Sequence, residues 1–184
     1  MARLVVTEFV SLDGVIEDPG GGDFAHAGWT IPYWNDDIAA YKKDELFASD
    51  SMLLGRVTYE GFAAAWPSMS DPAGFADRMN SLPKHVVTTS TAELSWNASR
   101  LDPANLADRV RALKAQDGGD ILAQGSAVLV HALLRDGLVD ELRLAVYPVV
   151  LGSGKRLFAD SYAKLDLVAA KPTPSGVVLT TYRL

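Results

Sequence analysis

The alternation of short apolar segments with helical segments is the feature of this sequence that most constrains its fold. The apolar segments predict strands at 3–10, 51–54, 84–88, 121–123 and 141–150. Helical patterns separate these strands, which is typical of a largely parallel sheet with helices on both faces. Two further apolar segments, 165–171 and 177–183, are joined by Pro-Thr-Pro-Ser-Gly and predict an antiparallel hairpin. The sequence therefore predicts a three-layer α/β/α fold with a mostly parallel central sheet and a C-terminal antiparallel hairpin.

Capping residues delimit the predicted helices. Asn35 is a favourable N-cap, and Asp36 and Asp37 complement the helix dipole in the turn that follows it. Asp102 followed by Pro103 marks another helix start, because proline is well accommodated at the first helical position. The remaining helices are predicted over 57–65, 72–81 and 127–134.

Size and composition limit the class of protein. A chain of 184 residues that is 48% hydrophobic suits a single domain spanning 1–184. Its net charge of −6 disfavours nucleic acid and anionic membranes as partners. The absence of cysteine excludes disulfides and thiolate catalysis, and the 3 histidines lack metal-ligand spacing, so no metal site is expected. The N-terminal apolar run is broken by Glu8 and fits a strand rather than a signal peptide. No segment approaches the ~18 apolar residues of a membrane span, so we expect a cytoplasmic protein.

Two predicted strand-to-helix junctions carry residues suited to phosphate. The first is Gly55-Arg56-Val57-Thr58, where glycine permits close backbone approach and arginine supplies a planar cation. The second is Gly125-Ser126-Ala127, where free N–H groups meet the positive end of a helix. Each has an ordinary alternative, a helix start with a solvated arginine or a tight turn, and neither matches G-x-G-x-x-G. Together they favour the two halves of a dinucleotide clamp.

A third glycine-rich segment, 151–156, does not match the phosphate loop of nucleotide triphosphatases, because Arg156 follows Lys155 where serine or threonine is required. It is either a plain connection or a loop that closes over the substrate or packs at a subunit contact. The apolar strand predicted before it, 142–150, either pairs across a two-fold axis in a homodimer or is central in the sheet.

Carboxylates near the ends of predicted elements are candidates for catalysis. Asp13 follows the carboxyl end of the first strand, where active sites of open α/β sheets lie. Asp36 and Asp37 stand near Trp34 and other aromatic residues at a helix start. Ordinary capping explains at least one of that pair, and the alternative is a carboxylate under an aromatic ceiling that binds a heterocycle or relays a proton.

The ordered set of motifs resembles the dihydrofolate reductase superfold. The closest resemblance is to the reductase domain of the bifunctional riboflavin-biosynthesis deaminase-reductases. The resemblance rests on motifs that occur in order along nearly the whole chain: Ser-Leu-Asp-Gly at 11–14, Leu-Gly-Arg-Val-Thr-Tyr-Glu at 54–60, 85–90, 121–126, 137–142, 148–152 and Arg-Leu-Phe at 156–158. Gly125-Ser126 replaces the Gly-Gly usual in the folate enzymes, which favours the riboflavin-type branch.

The resemblance implies NADPH as the cofactor. It places Gly55, Arg56 and Thr58 on the cofactor phosphates and the 125–128 turn on the pyrophosphate, with Gly125, Ser126, Ala127 and Val128 as its members. It places Thr88, Thr89 and Ser90 at the adenosine ribose phosphate, although no arginine follows them, which leaves the preference over NADH open. It also implies that the loop of Leu12 and Gly14 faces substrate and nicotinamide.

The function expected from this resemblance is hydride transfer to a C=N or C=O carbon of a small heterocyclic or ribosylaminopyrimidine substrate, such as 5-amino-6-(5-phosphoribosylamino)uracil. Asp13 or Asp37 is expected to supply the proton or orient the substrate. Leu12, Trp34, Lys155 and Arg156 are expected to bind the substrate, the two cations at its phosphate. The alternatives are a dihydrofolate reductase activity, in which Asp37 would bind the pterin, and a nucleotide-binding protein without catalysis.

Overall fold

The computed structural model describes residues 1–158 and 162–184, and over these ranges the chain forms one eight-stranded sheet. The strands are β1 (Leu4–Ser11), β2 (Ser49–Gly55), β3 (Lys84–Val87), β4 (Ala98–Leu101), β5 (Asp120–Gln124), β6 (Glu141–Tyr147), β7 (Asp166–Pro172) and β8 (Val178–Arg183). Their order is β4-β3-β2-β5-β1-β6-β8-β7. The first six are parallel, whereas β8 is antiparallel to both β6 and β7. The predicted mostly parallel sheet with a C-terminal antiparallel hairpin is confirmed.

Five α-helices in the described ranges cover the two faces of this sheet. They are α1 (Asp36–Phe47), α2 (Arg56–Ala65), α3 (Phe75–Ser81), α4 (Leu106–Lys114) and α5 (Ala127–Arg135). Apolar side chains of α4 and α5 pack with one face of β1, and those of α1, α2 and α3 pack with the other. The alternate residues of β1 join opposite cores, because successive side chains of a strand point to opposite faces. None of the described helices is long and apolar enough to cross a bilayer.

The helix that begins at Asp36 shows why local sequence determines where it starts. The Asn35 side chain accepts hydrogen bonds from the backbone N–H groups of Asp37 and Ile38 at 3.0 and 3.1 Å. These bonds satisfy donors that have no partner within the helix. The predicted cap is confirmed, and Ile38 and Leu46 are buried on the inner face of the helix.

Two details differ from the sequence-based expectation. The edge strand β4 was not predicted, because Ala98–Leu101 is mostly exposed and polar and lacks an apolar pattern. The strand predicted over 141–150 ends at Tyr147, because the next residue is Pro148, which has no N–H for the ladder. In addition, β6 is hydrogen-bonded between β1 and β8. It has no open edge, so pairing of this strand across a two-fold axis is excluded.

Candidate functional site

The carboxyl ends of four parallel strands bring the predicted phosphate-binding segments to one edge of the sheet. In the register, Gly55 of β2 lies opposite Val87 of β3, and Leu53 of β2 opposite Ala123 of β5. Thr7 of β1 lies opposite Gln124 of β5. The loops that start at 11, 55, 88 and 125 are therefore neighbours, which is the arrangement that open α/β sheets use for ligands.

The two glycine turns are in direct contact. A Cβ atom at Gly125 would lie 2.8 Å from Thr58 Oγ1, and one at Gly55 would collide with Ser126 Oγ. Each turn therefore requires glycine because the other turn is packed against it. Gly125 and Ser126 both have positive φ, at 66° and 63°, and the serine is strained in this conformation. Strain that persists at a strand-to-helix junction is typical of ligand-binding turns, and the structure brings together the two turns predicted to form a clamp.

Two residues at this edge, Arg56 and Val128, are exposed at helix N-termini. Arg56 is half-exposed at the first turn of α2, where its Nη1 lies 2.7 Å from Glu60 Oε1. Val128 is exposed at the first turn of α5. Helix N-termini attract anions because their first N–H groups have no intrahelical partner.

The segment after β3 adds a second polar surface. Thr88 is buried and its Oγ1 accepts a hydrogen bond from the Ser90 N–H at 3.0 Å, whereas Thr89 is exposed. Arg100 of β4 reaches this segment and donates from Nη2 to the carbonyl oxygen of Ala92 at 2.6 Å. The structure therefore adds a cation, bonded to Ala92, to the segment that follows β3, and the sequence did not indicate it because Arg100 comes from another strand.

Glu8 is a buried acid in the middle of the central strand β1, close to the end of the neighbouring strand β5. Its side chain is 5% exposed, and its Oε1 has no hydrogen-bond partner in the described parts of the chain. Burial raises the pKa of Glu8 to about 8, although the Lys42 ammonium and the Gly125 backbone amide oppose this shift. Glu8 therefore holds a proton at neutral pH next to the Gly125 turn.

A buried ion pair lies on the other face of β1. Lys42 of α1 contacts Glu45 at 2.7 Å and donates to Thr7 Oγ1 at 2.6 Å, while Thr7 donates to Glu45. Both charged side chains are more than nine-tenths buried. The ammonium also lies 5.1 Å from the centre of the Phe9 ring. Each charge is thus fully compensated by its neighbours, as burial of an ion pair requires.

A cavity of about 450 Å³ adjoins this pair between α1 and the segment that joins α2 to α3. Its lining is largely apolar, with aromatic rings and alanines from several elements: Phe9, Trp34, Ala39, Ala40, Trp66, Ala73 and Phe75. Its polar lining residues are Lys42, Lys43, Asp71 and Gln124. Gln124 directly precedes Gly125, so the cavity meets the sheet edge beside the two glycine turns.

Asp13 holds two loops together. Its carboxylate accepts hydrogen bonds from Ser11 Oγ at 2.6 Å and from the N–H groups of Leu151 and Gly152 at 3.1 and 2.8 Å. These donors lower the pKa of Asp13 to about 2, and the hydrogen bond from Ser11 has the largest effect. A carboxylate with this pKa is ionised at neutral pH and has no proton to donate. The geometry favours a structural role for Asp13 over the expected proton transfer.

Both cations that were expected to bind a substrate phosphate are engaged in contacts between these same two loops. Lys155 pairs with Glu17, and this carboxylate raises the pKa of Lys155. Arg156 donates to the backbone carbonyl of Asp13 and forms a bridge between the loops with Val15. Leu12 is exposed beside them, and Gly14 turns the chain with φ 86° and accepts from the Leu157 N–H at 2.8 Å.

Asp37 and Trp34 are separated by the structure. Trp34 lines the cavity and packs edge-on against Phe9 with ring centres 6.1 Å apart. Asp37 instead pairs with Lys171 of β7 at 2.7 Å and is not among the residues that line the cavity. The positions of α1 that do line it are two alanines and two lysines, so α1 contributes no carboxylate there.

The residues present fit a dinucleotide. The paired glycine turns leave space at the backbone, two helix N-termini and Arg56 attract phosphate, and the unpartnered Glu8 oxygen lies beside the turn. The Gly55–Thr58 and Gly125–Val128 segments would hold the pyrophosphate region, and Thr88–Ser90 would hold the adenosine end.

The fold and this site define an α/β protein with the architecture of dihydrofolate reductase. Residues 2–179 match the RibD C-terminal domain, and the chain belongs to this family. It is 32% identical over 185 residues to the uncharacterized protein YyaP of Bacillus subtilis (strain 168), covering 98% of this chain and 94% of that protein.

Solved structures agree on the fold. A protein from Shewanella sp. PV-4 that is named for riboflavin biosynthesis superposes with a TM-score of 0.73 at 20% identity, covering 100% of this chain and 98% of that one. Dihydrofolate reductase from Enterococcus faecalis, complexed with NADP(H), superposes with a TM-score of 0.65 at 15% identity, covering 98% and 95%. The predicted family and fold class are confirmed.

Sequence reasoning did not assign a role to Glu8, Lys42, Gln124 or Arg100. One signal was available: Glu8 interrupts the apolar run of β1, where both faces of the strand are buried. A charged residue in such a strand is rare unless it has a function or a partner. The other three gain significance only from neighbours that are distant in sequence.

Proposed function

We propose that this protein is an NADPH-dependent reductase that adds a hydride to a C=N or C=O carbon of a small cyclic substrate. The observation that carries the proposal is the direct packing of the two glycine turns at the carboxyl edge of the sheet, beside a cavity that Gln124 joins to it. When bound, the reduced nicotinamide supplies the hydride. Membership of the RibD C-terminal domain family supports the assignment.

The protein contributes binding and orientation. The 55–58 and 125–128 segments bind the phosphates through backbone N–H groups, and Arg56 adds a charge that can leave its exposed pair with Glu60 at little cost. Asp13 keeps the 151–152 segment against the 11–14 loop. Glu8, rather than Asp13, is the acid whose raised pKa favours the protonated form beside the Gly125 turn.

The folate alternative receives less support from the geometry. Asp37, the expected pterin ligand, is paired with Lys171 outside the cavity, and the residues of α1 that line the cavity carry no acid. A carboxylate that binds a pterin must face it. Reduction of a substrate other than dihydrofolate is therefore the better proposal.

Cofactor binding tests the proposal directly. We expect the full-length protein to bind NADPH in a nicotinamide fluorescence titration, and Arg56→Ala to weaken binding roughly tenfold through loss of a charge-assisted phosphate contact. Arg111→Ala is the matched control, because Arg111 is an exposed helical arginine paired with Asp108 on α4. Absence of NADPH binding at millimolar concentration contradicts the proposal.

Arg100 is the proposed source of cofactor preference. Its guanidinium bonds the carbonyl oxygen of Ala92, two residues beyond Ser90, so we expect Arg100→Ala to weaken NADPH binding several-fold and to leave NADH binding unchanged. An equal loss of affinity for both cofactors would show that Arg100 does not contact the ribose phosphate. Binding of cofactor without turnover on any carbonyl or imine would instead support the non-catalytic alternative.

A further inference from the structure

We propose that the cavity beside α1 takes a flat, uncharged aromatic or quinonoid carbonyl compound of one or two fused rings without a phosphate group. The inference rests on the proposed reductase function and specifies its substrate class. It differs from the ribosylaminopyrimidine phosphate that the family resemblance implied. Four observations carry it: the aromatic lining, the commitment of two of the three charged lining groups, the position of Gln124, and the engagement of the cations nearby.

Four of the residues that line the cavity are aromatic. Phe9 and Trp34 make one edge-on pair, and Trp66 and Phe75 make a second pair with ring centres 5.4 Å apart and planes inclined by 42°. The alanines of α1 between them leave the space open. Cavities of about 300–1,000 Å³ bury most of a small ligand, and aromatic walls favour ligands that are themselves flat and aromatic.

Two of the three charged groups of the lining, Lys42 and Asp71, are already engaged by ion-pair or hydrogen-bond partners. Lys42 is held by Glu45 and Thr7, as described above. Asp71 accepts from the N–H groups of Ala73, Phe75 and Ala76 at 2.9, 3.1 and 2.7 Å, and so caps α3. The Lys43 ammonium lies over the Phe47 ring at 5.3 Å. A charged substrate that paired with Lys42 or Asp71 would have to break their contacts, whereas Lys43 is only partly buried.

Gln124 is the polar lining residue that remains available. Its side-chain amide forms no hydrogen bond within the residues that the structure describes, and it is half-buried at the end of β5. An amide N–H at this position suits a carbonyl oxygen of the ligand. Because Gly125 follows it directly, a carbonyl bound here lies at the junction between the cavity and the proposed cofactor turn.

A substrate phosphate has no comparable partner. Lys155 and Arg156, the cations expected for this role, belong to the 152–157 loop, are bonded to Glu17 and Asp13, and do not line the cavity. An adjoining open depression of about 520 Å³ is lined by Ser68, Met69 and Ser70 and gives room for a neutral ring substituent.

The reaction on such a substrate balances without any further reagent. Reduction of the carbonyl adds one hydride at carbon, taken from the reduced nicotinamide, and one proton from solvent at oxygen. The C=O double bond becomes a C–OH group, and the nicotinamide is left oxidised. A quinone accepts the same hydride and proton to give its hydroquinone.

The test compares two ligands by calorimetry on the full-length protein. Menadione represents the proposed class, and it cannot arylate thiols here because the chain has no cysteine. Uridine 5′-monophosphate represents a phosphorylated ribosyl pyrimidine. We expect menadione to bind at micromolar concentration and the nucleotide to bind at least tenfold more weakly. Equal or tighter binding of the nucleotide overturns the proposal.

Variants locate the binding. Ala40→Trp fills the cavity and should abolish menadione binding, whereas the control Ala112→Trp, at an exposed position of α4, should not change it. Gln124→Leu should weaken binding roughly tenfold through loss of about one hydrogen bond. Equal behaviour of the two tryptophan variants overturns the proposal, and thermal melting of each variant separates misfolding from lost binding.

NADPH titration of the same samples distinguishes the two proposals. If the protein binds NADPH but prefers the nucleotide to menadione, the proposed substrate class is wrong and the proposed reductase function still stands. Menadione binding without NADPH binding leaves the cavity assignment and removes the reductase function. Binding of both ligands, with consumption of NADPH in the presence of menadione that Ala40→Trp prevents, supports both.

Discussion

Glu8 and Asp13 are carboxylates of the same N-terminal segment, yet their surroundings give them opposite properties. Glu8 lies buried within β1, and burial raises its pKa to about 8. Asp13 lies past the end of β1, where Ser11 and the N–H groups of two loop residues lower its pKa to about 2. Exclusion of water and the number of hydrogen-bond donors, rather than residue type or position along the chain, therefore decide which acid holds a proton.

The largest expected effect comes from a change at Lys42. Its ammonium pairs with Glu45 and also opposes the rise that burial causes in the pKa of Glu8. We expect Lys42→Ala to destabilise the protein by about 3–5 kcal/mol, because it leaves a buried carboxylate without its partner. Lys43→Ala is the control, since Lys43 is the next residue of α1 and is less buried. Urea denaturation of both variants measures the difference. Similar midpoints would show that the buried pair is not needed to hold the centre of the sheet.

Glu8 itself is expected to make stability depend on pH. Its pKa is raised on folding, so the native state takes up a proton and the contribution of Glu8 is complete below pH 4.5 and is lost as pH rises through 8. The free energy of unfolding should fall by on the order of 3 kcal/mol across this window. Glu8→Gln should remove that part of the slope and be more stable than the original protein at pH 8.

The control for this prediction is Glu93→Gln, which alters an exposed glutamate. Denaturant unfolding at several pH values between 4.5 and 8.5 provides the measurement. If Glu8→Gln and the original protein keep parallel slopes over this range, Glu8 is ionised when buried, and its difference from Asp13 disappears.

Asp13 should show the smallest and most local effect. Its folded pKa is lowered, so its contribution is complete above pH 3.8 and is lost only as pH falls through 2. At neutral pH we expect Asp13→Asn to accelerate amide hydrogen exchange at Leu151 and Gly152, because these N–H groups lose a charged acceptor. Global melting should be nearly unchanged.

Asp77→Asn, at an exposed position of α3, is the control for Asp13→Asn. Unaltered exchange at residues 151 and 152 in Asp13→Asn would mean that other contacts hold the two loops together. The contrast between a local role for Asp13 and a role in global stability for Glu8 would then fail.

Patterns in the sequence predicted much of the fold and part of the site. The Asn35 cap and the two glycine turns depend on residues close together in the chain, and short-range patterns such as these carry their own information. The strand β4 was not predicted, because it is stabilised by pairing with β3 and has no apolar pattern of its own. The sequence left open whether β6 pairs across a two-fold axis or lies inside the sheet, because the position of a strand within a sheet is not encoded locally, and the structure shows the second.

The assignment of acids was where local reasoning was least informative. Asp13 and Asp37 follow expected rules for catalytic positions, but Asp13 is bonded to Leu151 and Gly152, and Asp37 is paired with Lys171. Those partners lie far along the chain, so no motif indicates them. A carboxylate is recognised as available only when its neighbours are known.

Patterns within the sequence were sufficient to predict the class of fold, the family and two glycine turns suited to phosphate, because these depend on periodicity and on residues adjacent in the chain. The tertiary structure alone decided that the turns touch, that Glu8 keeps its proton, and that the cavity is aromatic with Gln124 at its polar end. The physical reason is that desolvation and charge pairing depend on every group within a few ångströms, and folding brings those groups from distant parts of the chain.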